Sequence, residues 1–131
     1  MIVDASAILA IMLEEDDGDV FEDALLLAPQ RHHVMSPVNY LEAAARLDGL
    51  KGTRKGAELD TVLTEFGIDL VQITPRQAML AREAYQRYGK GNHPAKLNLG
   101  DCFAYALAKA RSEPLLFKGD DFSQTDVEAA L

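Results

Sequence analysis

Four carboxylates fall where this chain passes between apolar runs and helix starts. They are Asp4 in Met-Ile-Val-Asp-Ala-Ser, Glu42 in Ser-Pro-Val-Asn-Tyr-Leu-Glu, Asp101 in Asn-Leu-Gly-Asp-Cys-Phe and Asp121 in Leu-Leu-Phe-Lys-Gly-Asp-Asp-Phe. A lone carboxylate beside an apolar run is costly to take out of water. Two unit charges ~5 Å apart repel by roughly 3 kcal/mol at an effective dielectric of about 20, so gathered acids must protonate, separate or hold a cation. A divalent-metal site is the leading reading. Oxygen donors without a cysteine cluster or paired histidines favour Mg²⁺ or Mn²⁺ over zinc. Such ions keep several waters and engage substrate phosphates, so the chemistry indicated is metal-assisted phosphodiester hydrolysis.

Each acid also has an ordinary role open to it. Asp4 can shape a turn with Ser6, and Asp121 can sit in a turn of its own. Glu42 can pair with Arg46 one helical turn on. Asp101 suits the positive end of a helix. Taken together these roles are less economical, because all four acids would have to fall near one sheet edge by coincidence.

The elements that carry the acids can be read from local signals. Met1 to Val3 is a short β-branched run, followed by a helix from Ala7 to about Leu13 with Ser6 as its cap. A second helix spans about Asp19 to Ala28, and His33 to Met35 is a brief strand. Ser36-Pro37 is a strong helix start, with Gly49 as the stop. Thr53 to Phe66 is helical, closed by Gly67, and Ile68 to Ile73 is a strand. Thr74-Pro75 opens a helix to about Tyr88. Asn98 caps Leu99 to Arg111, and Leu115 to Phe117 is the last strand. Short strands alternating with helices predict a parallel α/β sheet, whose ligands bind at the strands' carboxyl ends. Asp4 and Asp121 follow the first and last strands, and Glu42 and Asp101 can point over the same crevice.

The 131 residues, 48% apolar, suit one domain, 1–131, with a single core. No segment reads as a signal peptide or membrane span, and the one cysteine, Cys102, offers no disulfide. A cytoplasmic location is expected. The net charge of −8 argues against nucleic acid at first, but seven of the 21 acids lie between Glu14 and Asp23. That run reads as a solvated helix junction. Ala84 to Gly100 holds no acid and contains Arg87, Lys90, His93 and Lys96 beside Tyr85 and Tyr88. Its breaker-rich centre, Gly89 to Pro94, reads equally well as a plain surface loop or as a basic loop tracking a phosphate backbone.

The four motifs, in order and over essentially the whole chain, resemble a PIN domain, and more narrowly the VapC-type toxins of bacterial toxin–antitoxin pairs. The resemblance implies a compact three-layer α/β/α fold with a short-stranded, mainly parallel sheet. It also implies a Mg²⁺-dependent endoribonuclease that forms a homodimer and is inhibited by a VapB-type antitoxin. Carried over by position, Asp4 and Asp101 match the principal metal ligands and Glu42 the third acid. The fourth falls in Gly119-Asp120-Asp121-Phe122, with Asp121 preferred and Asp120 as an alternative. Ser6 matches a hydroxyl residue commonly found two places after the first aspartate. The implied mechanism is in-line attack by a metal-activated water; the basic loop, read from its composition, adds Lys90, His93 and Lys96 as candidate RNA contacts.

Other readings fit less well. A dehalogenase-type phosphatase needs an aspartate where Ser6 stands. A response-regulator receiver wants paired acids after the first strand and an acceptor aspartate after a middle one. The more serious rival is a non-catalytic PIN-fold module that binds RNA or protein. Cys102 reads as a buried core thiol, and His32, His33 and His93 form no recognisable ligand set.

Overall fold

The computed structural model describes residues 1–30 and 32–131. Among these residues four strands form one all-parallel sheet in the order β3-β2-β1-β4, with β1 at Ile2–Val3, β2 at His33–Met35, β3 at Ile68–Leu70 and β4 at Leu115–Leu116. Parallel strands need crossovers, which six helices supply or accompany: α1 (Ala5–Met12), α2 (Gly18–Leu27), α3 (Pro37–Asp48), α4 (Lys55–Glu65), α5 (Pro75–Tyr88) and α6 (Leu99–Arg111). Alternation along the strands sends their side chains to opposite faces. Ile2, Val34 and Leu115 pack with α5 and α6, whereas Val3, Met35 and Leu116 pack with α1 to α4. These two apolar layers make the α/β/α sandwich.

Cap chemistry sets most helix starts. Ser36 accepts from the Val38 N–H, Thr74 from Gln77 and Asn98 from Asp101, and proline follows the first two caps. Several boundaries differ from the sequence reading. Helix α1 begins at Ala5, and its cap is Asp4 rather than Ser6, because the Asp4 carboxylate accepts from the Ser6 N–H at 3.1 Å. Helix α4 begins at Lys55 rather than Thr53. Strand β3 ends at Leu70: it is an edge strand, and after Val71 N–H donates to Met35 O at 3.2 Å the chain leaves its neighbour. Strand β4 likewise stops at Leu116, one residue short of Phe117.

The order β3-β2-β1-β4 means that the chain leaves β1 toward β2 on one side and returns to its other side as β4. A crevice opens at such a switch point, at the strands' carboxyl ends. Asp4 follows β1 directly, Lys118 to Asp121 follow β4, and the first turn of α6 carries Asp101.

Candidate metal centre

Asp4 is the centre of the site. It is 4% exposed, and Ser6 donates to its Oδ2 twice, from the backbone at 3.1 Å and from Oγ at 2.5 Å. Its Oδ1 receives Asn39 Nδ2 at 3.4 Å. Burial raises its pKa above the usual carboxylate range, the Ser6 and Ala5 hydrogen bonds oppose that rise, and the charge of Asp121 adds to it. Asp101 lies in the first turn of α6, where Oδ2 accepts from the Asn98 N–H at 3.0 Å in a reciprocal capping box. It is buried too, and burial, with the charges of Asp4 and Asp121, lifts its pKa to about 6. Glu42 lies on α3 and is half-buried; burial, then Asp4 and Asp101, push it up to about 7.

Two residues missed in the sequence complete the arrangement. Asn39, fully buried on α3 one turn before Glu42, donates through Nδ2 both to Asp4 and to Gly100 O at 3.0 Å. It thereby joins α3 to β1 and to the first turn of α6. Its Oδ1 is buried without a hydrogen-bond partner, an orphaned acceptor of a kind native structures rarely leave. Gly100 makes the room for Glu42: a Cβ there would stand 1.2 Å from Glu42 Oε1. The i, i+3 spacing of Asn39 and Glu42 was a usable signal, since residues so spaced share a helix face. The Gly100 requirement arises only when α3 and α6 pack.

The ordinary roles are partly real as well. Asp4 caps α1 through Oδ2 while Oδ1 receives Asn39, and Asp101 completes the Asn98 capping box of α6 through Oδ2, with no hydrogen bond to its Oδ1 among the described residues. Glu42 is turned to Gly100, and no ion pair with Arg46 is present among the described residues. Of the two aspartates after Gly119, Asp121 is the one whose charge raises Asp4 and Asp101. None of the three histidines faces the acids. His33 binds Leu25 O at 3.0 Å, His32 meets Asp69 at 2.8 Å, and His93 Nδ1 accepts from the Ala95 N–H at 3.0 Å. Cys102 is a buried free thiol, as expected.

The donor set fits a hard divalent cation. Asp4, Glu42 and Asp101 offer carboxylate oxygens, among the described residues no lysine or arginine lowers the pKa of any of them, and an amide oxygen stands orphaned beside them. Among the described residues no three acids are already drawn together tightly enough to wrap an ion. Mg²⁺ does not require that, because it is typically held by one or two carboxylates with water completing its shell.

A stability consequence follows. A carboxyl whose folded pKa lies above its unfolded value binds more protons in the native state, so its contribution to stability falls as pH rises between the two values. For Glu42 that window runs from 4.5 to about 7. In chelator, wild-type protein should therefore lose thermal stability relative to Glu42→Gln as pH rises from about 4.5 to about 7. Comparing the two proteins cancels His33, which burial drives the other way. A melting-temperature difference that stays constant across the window would contradict the placement of Glu42.

Comparison with known proteins places the chain. The PIN domain family matches residues 1–128. Ribonuclease VapC of Mycolicibacterium smegmatis is 47% identical over 129 residues, 98% of each chain. Ribonuclease VapC28 of Mycobacterium tuberculosis is 47% identical over 132 aligned positions, 100% of this chain and 98% of its own. Among solved structures, the Mycobacterium tuberculosis toxin VapC20, described as Sarcin-Ricin loop cleaving, superposes with a TM-score of 0.77. It covers 96% of this chain and 95% of its own at 15% identity, which bears on fold alone. With a matching fold and full-length relatives at this identity, the chain belongs to the PIN domain family and, within it, to the VapC-type ribonucleases.

Proposed function

We propose that this protein is the Mg²⁺-dependent endoribonuclease toxin of a VapBC-type pair. It acts in the cytoplasm as a homodimer and is silenced by a VapB-type antitoxin. The observation that carries the catalytic part is a group of acids on separate elements, Asp4 and Asp101 buried and Glu42 half-buried, with raised pKa values and no basic partner among the described residues. Asp4 and Asp101 are the principal ligands, Glu42 is the third and Asp121 the fourth, with Asp120 exposed beside it. Mn²⁺ is the natural substitute. Two full-length relatives named as ribonucleases support the substrate class. Among the described residues no helix is long and apolar enough to cross a membrane.

When bound, the cation supplies an activated water and offsets charge at the scissile phosphate. The chain's own residues arrange the rest. Ser6 fixes one oxygen of Asp4, Asn98 fixes one oxygen of Asp101, and Asn39 ties both helices to β1. Water is the nucleophile and the products carry 5′-phosphate and 3′-hydroxyl ends, so the ribose 2′-hydroxyl is not consumed. RNA with a 2′-deoxy substitution at the scissile nucleotide should still be cut. Complete loss of cleavage with binding intact would point to attack by the 2′-hydroxyl instead.

The basic loop supplies the backbone contacts. Lys90 N–H donates to Leu97 O at 3.0 Å and Leu97 N–H to Tyr88 O at 2.9 Å, closing the loop next to Asn98, the cap of the helix that carries Asp101. Lys90 and Lys96 are exposed, and neither pairs with an acid among the described residues. His93 shapes the loop through Nδ1 and stacks edge-on to Tyr88, leaving Nε2 for RNA. Replacing Lys90 and Lys96 together with alanine should raise the RNA dissociation constant. It should also flatten the dependence of log K on log salt by about 1.4 to 1.8 for two lost contacts. Unchanged binding would return the loop to a plain surface role.

A further inference from the structure

Asp121 has the least support of its own among the candidate ligands. It is exposed, and its side chain makes no hydrogen bond among the described residues. Its place is set by the two ends of the short turn from Lys118 to Phe122. At the far end Phe122 is 2% exposed and packs on Phe117, with ring centroids 5.0 Å apart. At the near end Lys118 is held twice. Its backbone N–H donates to Ser6 Oγ at 3.0 Å, and that same hydroxyl donates to Asp4. Its ammonium donates to Glu15 and, at 2.8 Å, to Asp17, more than a hundred residues earlier in the chain. Gly119, with φ +96°, then turns the chain toward Asp121.

The acids that hold Lys118 stand on a hydrogen-bonded corner between α1 and α2. Glu15 N–H donates to Ala10 O at 3.0 Å and Gly18 N–H to Glu15 O at 2.8 Å. Gly18 lets α2 start hard against α1, since a Cβ there would stand 2.8 Å from Ala10 O. We infer that Lys118 is a positioning residue: its ion pairs with Glu15 and Asp17 clamp the β4 turn that carries Asp121 to the corner beside Ser6 and Asp4. This rests on the nuclease reading above. It also gives a task to two acids of the run that looked merely solvating. Half-exposed ion pairs contribute little to global stability, so the clamp should show as local order and turnover rather than as fold.

The test compares Lys118→Met, Lys118→Arg and the double variant Glu15→Gln/Asp17→Asn. Amide exchange of Lys118, whose N–H is held by Ser6 Oγ, measured without metal or RNA, should accelerate by at least about fivefold in Lys118→Met and in the double variant, with core amides unchanged. The rate constant for RNA cleavage should fall by about tenfold in both, the scale of a modest misplacement, while KM stays within about twofold. Lys118→Arg should restore both readouts. If Lys118 instead grips RNA phosphate, Lys118→Met weakens RNA binding while the double variant strengthens it, and those opposite signs would overturn the clamp. Wild-type exchange in both variants would overturn it as well. Accelerated exchange in a protein that never cuts RNA would support the clamp and overturn the nuclease reading.

Discussion

Asp4→Asn and Asp101→Asn should each lower RNA cleavage by more than about a hundredfold, beyond the 10- to 100-fold typical of residues that only support a metal ligand. The fold should survive both changes for specific reasons. At position 101 the remaining side-chain carbonyl still accepts from the Asn98 N–H, so the capping box is kept. At position 4 the carbonyl still accepts from Ser6, which caps α1, and only the long 3.4 Å bond from Asn39 is given up. What is lost is negative charge, and burial already penalises that charge when no cation offsets it. Metal-free stability at neutral pH should therefore rise in both variants, measured by thermal melting in chelator. Wild-type cleavage rates in either variant would remove these residues from the site.

Gly100→Ala should separate activity from stability in the same direction by another route. The new methyl would collide with the Glu42 carboxyl, with Oε1 at 1.2 Å and Oε2 at 2.7 Å, and with no backbone atom as close. Glu42 is the end of a flexible side chain, so the carboxyl swings out rather than the helices parting. Alanine also favours a helix over glycine by about 1 kcal/mol. Cleavage should fall by about tenfold to a hundredfold, the scale of a misplaced catalytic group, while the melting temperature holds or rises. Full activity would mean that the Glu42 position beside Gly100 is not needed for the reaction. A large loss of stability would mean that α3 and α6 cannot absorb the methyl.

Much of this was legible in the chain because the determinants are local. Ser36-Pro37, Thr74-Pro75 and Asn98 announce helix starts through side chains that bond the backbone within three residues, and all three caps form. The apolar runs at Ile2–Val3, His33–Met35 and Leu115–Leu116 announce strands, and the acids following β1 and β4 are placed at the switch point by topology. Asp4 misled locally: the sequence offered a carboxylate and a hydroxyl two residues apart, and either could have capped α1. The carboxylate does so while also receiving the hydroxyl.

What was not legible depends on contacts between distant segments. Asn39 has meaning only because Asp4 and Gly100, 35 and 61 residues away, converge on its amide. Gly100 reads as an unremarkable residue in a helix start until Glu42 is packed against it. Glu15 and Asp17 read as solvated charge until Lys118 arrives from the far end of the chain. Composition alone is a poor guide here, because the acids that dominate the net charge are not the ones whose pKa burial raises, Asp4, Glu42 and Asp101.

The most direct measurement is RNA cleavage by the purified protein in Mg²⁺, then in excess chelator, then with Mg²⁺ restored, with Asp101→Asn run alongside. The expected result is cleavage with the cation, none in chelator, and recovery on restoration, while the variant binds RNA without cutting it. Undiminished cleavage in chelator would contradict a cation-dependent site. Binding without cleavage in either Mg²⁺ or Mn²⁺ would make the chain a PIN-fold binding module instead.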